Sequence, residues 1–205
     1  MLLPLLNAGN NSALAKFESN FFTNDPIGTK PFDPEMELIY DSLQLGKKGL
    51  KKEAFNYAYA GYKKLEEEGK LNKEGLITIC DLSQSSRRKR LYLINLNECK
   101  LLLNTYVAHG KNSGGEYARK FSNKPESLQS SLGFYRTKTT YYGGHGLALT
   151  ISGLEPGFND KAERRKIVVH GSRAMQIDIV NGVGLEAAHG KRFLHRCIRT
   201  SSFRG

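Results

Sequence analysis

The spacing of apolar residues separates a helical N-terminal part of the chain from a strand-rich remainder. Asp33 and Pro34 indicate a helix start, because aspartate caps the first N–H groups and proline is tolerated at the first helical position. This helix is predicted to end near Leu45. A second helix is predicted from Leu50 to about Gly69, because its apolar residues recur at helical spacing. We expect the two helices to pack rather than to perform chemistry.

After Gly75 the pattern changes to short runs rich in leucine, isoleucine and valine, which are typical of β-strands. Turn residues at 95–100, between two of these runs, predict a hairpin. Residues 108–145 are dense in glycine, serine, asparagine and tyrosine, and are predicted to form a long functional loop region. The fold class is therefore predicted to be mainly β, with an N-terminal helical pair. The predicted strands are 76–80, 91–94, 101–107, 146–151 and 166–170.

Composition divides the chain into four segments. Residues 1–32 are predicted to be a loose leader and residues 33–74 a helical prefix. Residues 75–181 are predicted to be the main domain. Residues 182–205 form an atypical basic tail with little periodicity, in which we expect no final strand.

The net charge is +11, from 31 lysines and arginines against 20 acidic residues. This charge suits a polyanion such as nucleic acid, anionic lipid or cell-wall polymer, and does not choose among them. We expect no nucleic-acid partner, because basic and aromatic residues are not interleaved as strand binding requires.

No apolar run reaches the roughly 18–20 residues that span a bilayer, so no transmembrane segment is expected. The first 15 residues lack the basic region of a clear export signal.

The three cysteines, Cys80, Cys99 and Cys197, are too few and too oddly numbered for a disulfide framework. Cys80 and Cys99 are predicted to be small, partly buried apolar residues. His189, His195 and Cys197 lack a fourth ligand at a customary zinc spacing, so we expect no metal site.

Several short motifs follow one another along the chain, at 81–86, 90–92, 107–114, 121–123, 130–135, 144–146, 153–154 with Asn159, and 165–172. In that order they resemble the murein L,D-transpeptidase catalytic-domain family of the YkuD-like type, from about residue 38 to 175. The resemblance implies a β-sandwich or mixed-sheet fold for residues 75–181.

The resemblance also implies an activity, a partner and a location. Members of this family cut and rejoin the stem peptides of peptidoglycan. A cysteine attacks the carbonyl of the third stem residue, D-alanine leaves, and an amine of a second stem takes the acyl group. No cofactor is used. The location that the family implies is periplasmic or otherwise extracytoplasmic.

A thiol with a pKa of about 8.5 needs a neighbouring histidine to become the reactive thiolate. His170, in the motif Val-Val-His-Gly-Ser, matches the family's base and is predicted to lie at a cleft edge, followed by Gly171 and Ser172. The alternative is a strand-terminal histidine bonded to backbone. His145, between two glycines, is predicted either to contact substrate or to serve a tight turn.

Gly133 and Tyr135 match a segment that walls the donor site in the family. A glycine turn flanked by core aromatic residues is the alternative reading of this segment. Tyr141 and Tyr142 are further candidates for lining the cleft, because tyrosine offers a flat apolar body and one hydrogen bond. For His109 we favour a structural role.

The nucleophile motif is where the sequence departs from the family. The family has Ser-any-Gly-Cys roughly twenty residues after the histidine, whereas residues 188–191 read Ala-His-Gly-Lys. Cys197, whose cationic neighbours favour thiolate, is the remaining candidate. We expect an incomplete C-terminal end with an unpaired sheet edge, from a shifted or truncated reading frame or from natural divergence. The protein is thus predicted to be an inactive L,D-transpeptidase or a non-catalytic peptidoglycan-binding protein.

Overall fold

The computed structural model describes residues 33–71, 75–144, 146–171 and 198–201. These residues form two α-helices, one 3-10 helix (Lys111–Ser113) and eight strands. The predicted class, mainly β with an N-terminal helical pair, is confirmed. The elements are α1 (Pro34–Ser42), α2 (Lys52–Glu67), β1 (Leu76–Cys80), β2 (Leu91–Asn95), β3 (Lys100–Thr105), β4 (Val107–Ala108), β5 (Tyr135–Gly143), β6 (Gly146–Gly153), β7 (Val168–Gly171) and β8 (Ile198–Ser201).

Helix α1 begins as its sequence predicts. The Asp33 carboxylate accepts hydrogen bonds from the N–H groups of Glu35 at 2.9 Å and Met36 at 3.3 Å. The turn between the helices includes Gly49 at φ +91°, in the left-handed region that favours glycine. The start of α1 and the turn between the helices therefore have local causes in the sequence.

Helix α2 packs on the first sheet through one apolar face. Phe55 and Ala58 of this face are fully buried, and they share a core cluster with Ile79, Tyr92 and Ile94 of β1 and β2. Burying each large side chain of such a core stabilises the fold by about 1.5–3 kcal/mol. The helical pair and the first sheet therefore form one packed unit.

The first sheet is antiparallel in the order β1-β2-β3. The predicted hairpin between β2 and β3 is confirmed, with Asn95 paired to Lys100. Cys80 is buried at the end of β1, opposite Leu91, and Cys99 is half-buried in the β2–β3 turn. Both cysteines therefore belong to this sheet.

The second sheet has the order β4-β8-β7-β6-β5. Strand β4 is parallel to β8, and the other neighbours are antiparallel. One residue of each strand lies in a single row across all five strands, which we call the His170 row. In order, the row contains Ala108, Arg199, His170, Ala148 and Tyr141.

Strand β5 corrects the prediction of a continuous loop over residues 108–145. Tyr135–Gly143 pairs with β6 in a hairpin at the edge of the sheet. Its residues after Tyr135 are exposed, so no alternation of apolar and polar residues marks the strand in the sequence. Its threonines and tyrosines nevertheless favour β-structure.

Strand β8 corrects the prediction that the basic tail contains no final strand. Ile198–Ser201 pairs with β7 on one side and with β4 on the other, so both edges of this strand are hydrogen-bonded. Hydrogen bonding on both sides stabilises a four-residue strand that its own sequence pattern does not reveal. None of the helices in the described part of the chain is long and apolar enough to cross a membrane.

Candidate functional site

His170 lies in β7, between β6 and β8. Its Nδ1–H donates a hydrogen bond of 2.7 Å to the carbonyl oxygen of Gly171. A carbonyl only accepts, so in the neutral ring this bond places the proton on Nδ1 and makes Nε2 the basic nitrogen. The side chain is 4% exposed, so it is buried rather than placed at an open cleft edge.

Tyr141 and Ala148 are the neighbours of His170 in the His170 row. Directly paired residues project from the same face of a sheet, so the tyrosine and the imidazole lie on one face with the alanine methyl between them. Ala148 is buried and Tyr141 is 39% exposed. The row therefore runs from an exposed aromatic ring to a buried imidazole.

Gly171, the next predicted site residue, pairs with Ile198 of β8. Ser172 and Cys197 lie outside the described residues, as does His145. The residues flanking His145 are described: Gly143 pairs with Gly146 across the β5–β6 hairpin. The roles predicted for Ser172, Cys197 and His145 stay predictions.

Tyr135 and Gly133 are not brought next to His170. Tyr135 pairs with Gly153, five residues along β6 from Ala148. At about 3.3 Å per residue this is roughly 17 Å along the strand. Because five is odd, Tyr135 also projects from the opposite face of the sheet to His170. Tyr135 and His170 therefore face opposite sides of the described sheet, and the donor-site roles predicted for Gly133 and Tyr135 stay predictions.

Gly133 instead faces a buried carboxylate. Its φ is +118°, and a Cβ at this position would lie 1.8 Å from Oε2 of Glu155 and 2.5 Å from Nδ2 of Asn159. The Phe134 N–H donates to the same Oε2 at 2.7 Å. Asn159 donates to the Phe134 carbonyl at 2.9 Å and accepts from the Glu155 N–H at 2.9 Å. The glycine is thus required by close packing of a polar network.

Burial raises the pKa of Glu155 to about 7. Its Oε1 is buried without a hydrogen-bond partner among the described residues, whereas Oε2 accepts the Phe134 N–H. Desolvation penalises the charged form of such a carboxyl, so near neutral pH it is about half protonated. Sequence reasoning missed Glu155; its signal is its position four residues before Asn159, in the turn that follows β6.

Arg165 is a second buried charge that ties loops together. Its guanidinium donates to the Ser122 carbonyl at 2.7 Å, to the Ser131 hydroxyl at 3.2 Å and to the Gln129 carbonyl. The Tyr135 hydroxyl bonds the Ser131 hydroxyl at 2.7 Å, and burial raises the pKa of Tyr135. These contacts agree with the alternative reading of residues 131–135, a structural turn beside core aromatic residues.

His109 has the structural role that we favoured. Its Nδ1 accepts from the fully buried Arg90 guanidinium at 2.9 Å, and its Nε2–H donates to the Gly114 carbonyl at 3.2 Å. Burial, together with the charge of Arg90, lowers the pKa of His109. His109 is therefore neutral at pH 7 and acts as a connector between loops.

No group of three or more His, Cys, Asp or Glu side chains suited to a metal ion occurs among the described residues. The two cysteines of the described segments, Cys80 and Cys99, belong to the first sheet. His170 and its row lie in the second sheet.

Comparison with known families identifies a match that covers the first sheet and four strands of the second. A family model described as the L,D-transpeptidase catalytic domain matches residues 46–190, more than two thirds of the chain. The matched range includes α2, β1 to β7 and His170. Comparisons with curated proteins and with solved structures found no match. The family match agrees with the resemblance carried by the ordered motifs, and the chain belongs to the YkuD-like family of L,D-transpeptidase catalytic domains.

Proposed function

We propose that this extracytoplasmic chain binds the stem peptides of peptidoglycan in the manner of an L,D-transpeptidase and does not complete the acyl transfer. The family implies a peptidoglycan substrate. The observation that carries the proposal is the bond from His170 Nδ1–H to the Gly171 carbonyl, which sets the tautomer of the family's histidine. In this tautomer Nε2 carries the lone pair that can accept a proton.

The His170 row supports stem-peptide recognition. Tyr141, at its exposed end, offers an apolar ring and a hydroxyl to a peptide, while His170 is buried. Ala148 between them contributes only a methyl group, so the two larger side chains are separated by about 10 Å, two strand spacings. An exposed aromatic ring on the same sheet face as the histidine supports recognition of a peptide.

The missing element is a thiol at the family's position. Residues 184–192 contain no cysteine, and Lys191 stands where the motif has its nucleophile. A lysine ammonium is a poor nucleophile unless it is strongly desolvated. Loss of a covalent nucleophile costs on the order of 10⁶ in turnover in a well-studied protease. The chain is therefore proposed to bind without transferring.

A transferase that uses Cys197 is the second candidate function. The observation that favours it is the pairing of β8, which begins one residue after Cys197, with Gly171 and His170 of β7. His195, Arg196 and Arg199 flank this cysteine in the sequence, and cationic neighbours lower the pKa of a thiol.

The experiment that separates the two candidates is acylation by a carbapenem, followed by intact-mass spectrometry. We expect no adduct and no release of D-alanine from a stem tetrapeptide. An adduct that is lost in Cys197→Ala and kept in the matched variant Cys99→Ala would establish the second candidate instead.

Binding of a soluble stem tetrapeptide, measured by calorimetry, tests recognition itself. We expect wild type to bind and His170→Ala to bind at least about tenfold more weakly, a loss of about 1.4 kcal/mol. Absence of tetrapeptide binding by folded wild-type protein would contradict the proposed function.

A further inference from the structure

Two neighbouring loops carry a concentration of exposed positive charge. They are residues 82–90, between β1 and β2, and residues 109–120, after β4, and we call them the basic loop pair. Six of their cations are exposed, while their acidic residue Glu116 is half-buried. The exposed cations are Arg87, Arg88, Lys89, Lys111, Arg119 and Lys120.

Direct bonds hold the two loops together. The Ser86 N–H donates to the Glu116 carbonyl at 3.0 Å, and the Ser85 hydroxyl donates to the Glu116 carboxylate. Glu116 also lies 3.5 Å from the Arg87 guanidinium, so its charge is already engaged within the pair. The remaining exposed charge of the two loops is therefore positive.

A buried arginine fixes the loops from beneath. Arg90 donates to the Gln84 carbonyl at 2.7 Å, to the Val107 carbonyl at 2.8 Å and to His109 at 2.9 Å. In the second loop, the N–H groups of Arg119 and Lys120 both donate to the Ser113 carbonyl, at 2.8 and 2.9 Å. The cations are thus presented by an ordered backbone, which lowers the entropy cost of binding.

The basic loop pair adjoins the His170 row. Its second loop starts at His109, the residue after Ala108, which ends the row. Ala108 is two strands from His170, about 10 Å across the sheet. A long ligand held at the row therefore reaches these loops within the length of a few residues.

We propose that the basic loop pair is a second contact surface for peptidoglycan, which holds the carboxylates of stem peptides neighbouring the one at His170. This inference rests on the proposed function. A single exposed ion pair contributes little to binding, because water and salt screen it. A polymer that repeats its stem carboxylates engages several cations at once, so the surface favours the polymer over one free peptide.

Sedimentation with purified, insoluble peptidoglycan tests this surface. The triple variant Arg87→Glu, Arg88→Glu, Lys89→Glu is expected to bind about tenfold more weakly than wild type at low salt. The matched control Lys47→Glu, Lys48→Glu, Lys51→Glu changes the net charge equally at exposed positions between the helices, and is expected to bind within about twofold of wild type. Equal loss in both variants, or no loss in the first, would overturn the inference.

Peptidoglycan whose carboxyl groups have been converted to amides tests the ligand chemistry. Wild type is expected to lose about the same tenfold on this material, and the loop variant to lose little more. Wild type that binds vesicles of anionic phospholipid and does not bind peptidoglycan would overturn the inference in favour of a membrane partner. Binding of a soluble tetrapeptide distinguishes failure of this inference from failure of the proposed function. Equal tetrapeptide binding by wild type and the loop variant would show that the substitutions do not affect binding at the His170 row. Absence of tetrapeptide binding by both proteins would contradict the proposed function alone.

Discussion

Tyr141 and His170 project from the same face of the second sheet, on either side of Ala148. Tyr142 is the next residue of β5 and projects from the other face, where it is 77% exposed. Of the two adjacent tyrosines, Tyr141 therefore lies on the same face of the sheet as the imidazole, and Tyr142 lies on the other face.

The first prediction uses this difference. Tyr141→Ala is expected to weaken binding of a stem tetrapeptide several-fold, because an aromatic contact contributes about 0.5–1.5 kcal/mol. Both Tyr141→Ala and Tyr142→Ala are expected to keep the free energy of unfolding within about 0.5 kcal/mol, since both side chains are exposed. Calorimetry measures binding, and weaker binding by Tyr142→Ala alone would contradict the assignment of the faces.

The second prediction concerns the pH dependence of stability at Glu155. Burial raises the pKa of its carboxyl from an ordinary value of 4.5 to about 7, so between these values the native state holds a proton that the unfolded chain has released. The free energy of unfolding therefore falls as pH rises through this window, and its contribution levels off above about pH 7.

Glu155→Gln cannot ionise and keeps an oxygen acceptor for the Phe134 N–H. The difference in free energy of unfolding, variant minus wild type, is expected to increase by on the order of 2 kcal/mol from pH 5 to pH 8, because only wild type loses this stability. Urea unfolding at each pH measures the difference. Glu163→Gln, at an exposed carboxylate, is the matched control for the loss of one negative charge. A wild-type-like pH slope in Glu155→Gln would show that this carboxyl is not the titrating group.

The third prediction separates structure from substrate contact at Gly133. Gly133→Ala is expected to lower the free energy of unfolding by about 2–4 kcal/mol, because its Cβ meets Glu155 and Asn159 at a positive φ. Gly115→Ala has nothing within 4 Å of its Cβ and is expected to be nearly neutral. Denaturant unfolding compares the two. If Gly133→Ala keeps its stability but no longer binds the peptide, this glycine contacts substrate and its role is not structural.

The fourth prediction tests the role of Arg90 beneath the basic loop pair. Arg90→Met removes the donors to two carbonyls and to His109 in a fully buried site, and is expected to cost about 3 kcal/mol or more of stability. Arg87→Met, at a side chain that is 83% exposed, is expected to change stability by less than about 0.5 kcal/mol. Thermal unfolding checks both, and similar melting temperatures for the two variants would show that Arg90 does not hold the loops.

Several elements could be predicted from the amino-acid order because their causes are local. The Asp33 cap and Pro34 set the start of α1, and helical spacing of apolar residues marked α2. Leucine- and isoleucine-rich runs marked β1 and β2, and ordered motifs identified the family. Each of these signals lies within a short stretch of residues, so no knowledge of distant contacts is needed.

Which residues share a face of the sheet could not be predicted without the folded structure. Tyr135 and Tyr141 are six residues apart and would share a face in a regular strand, but β5 carries an extra residue between Thr137 and Thr140 that places them on opposite faces. The insertion of β8 between β4 and β7, and the burial of Glu155 against Gly133, likewise depend on chain segments far apart in sequence. Strand register and burial arise from such long-range contacts, which local patterns do not encode.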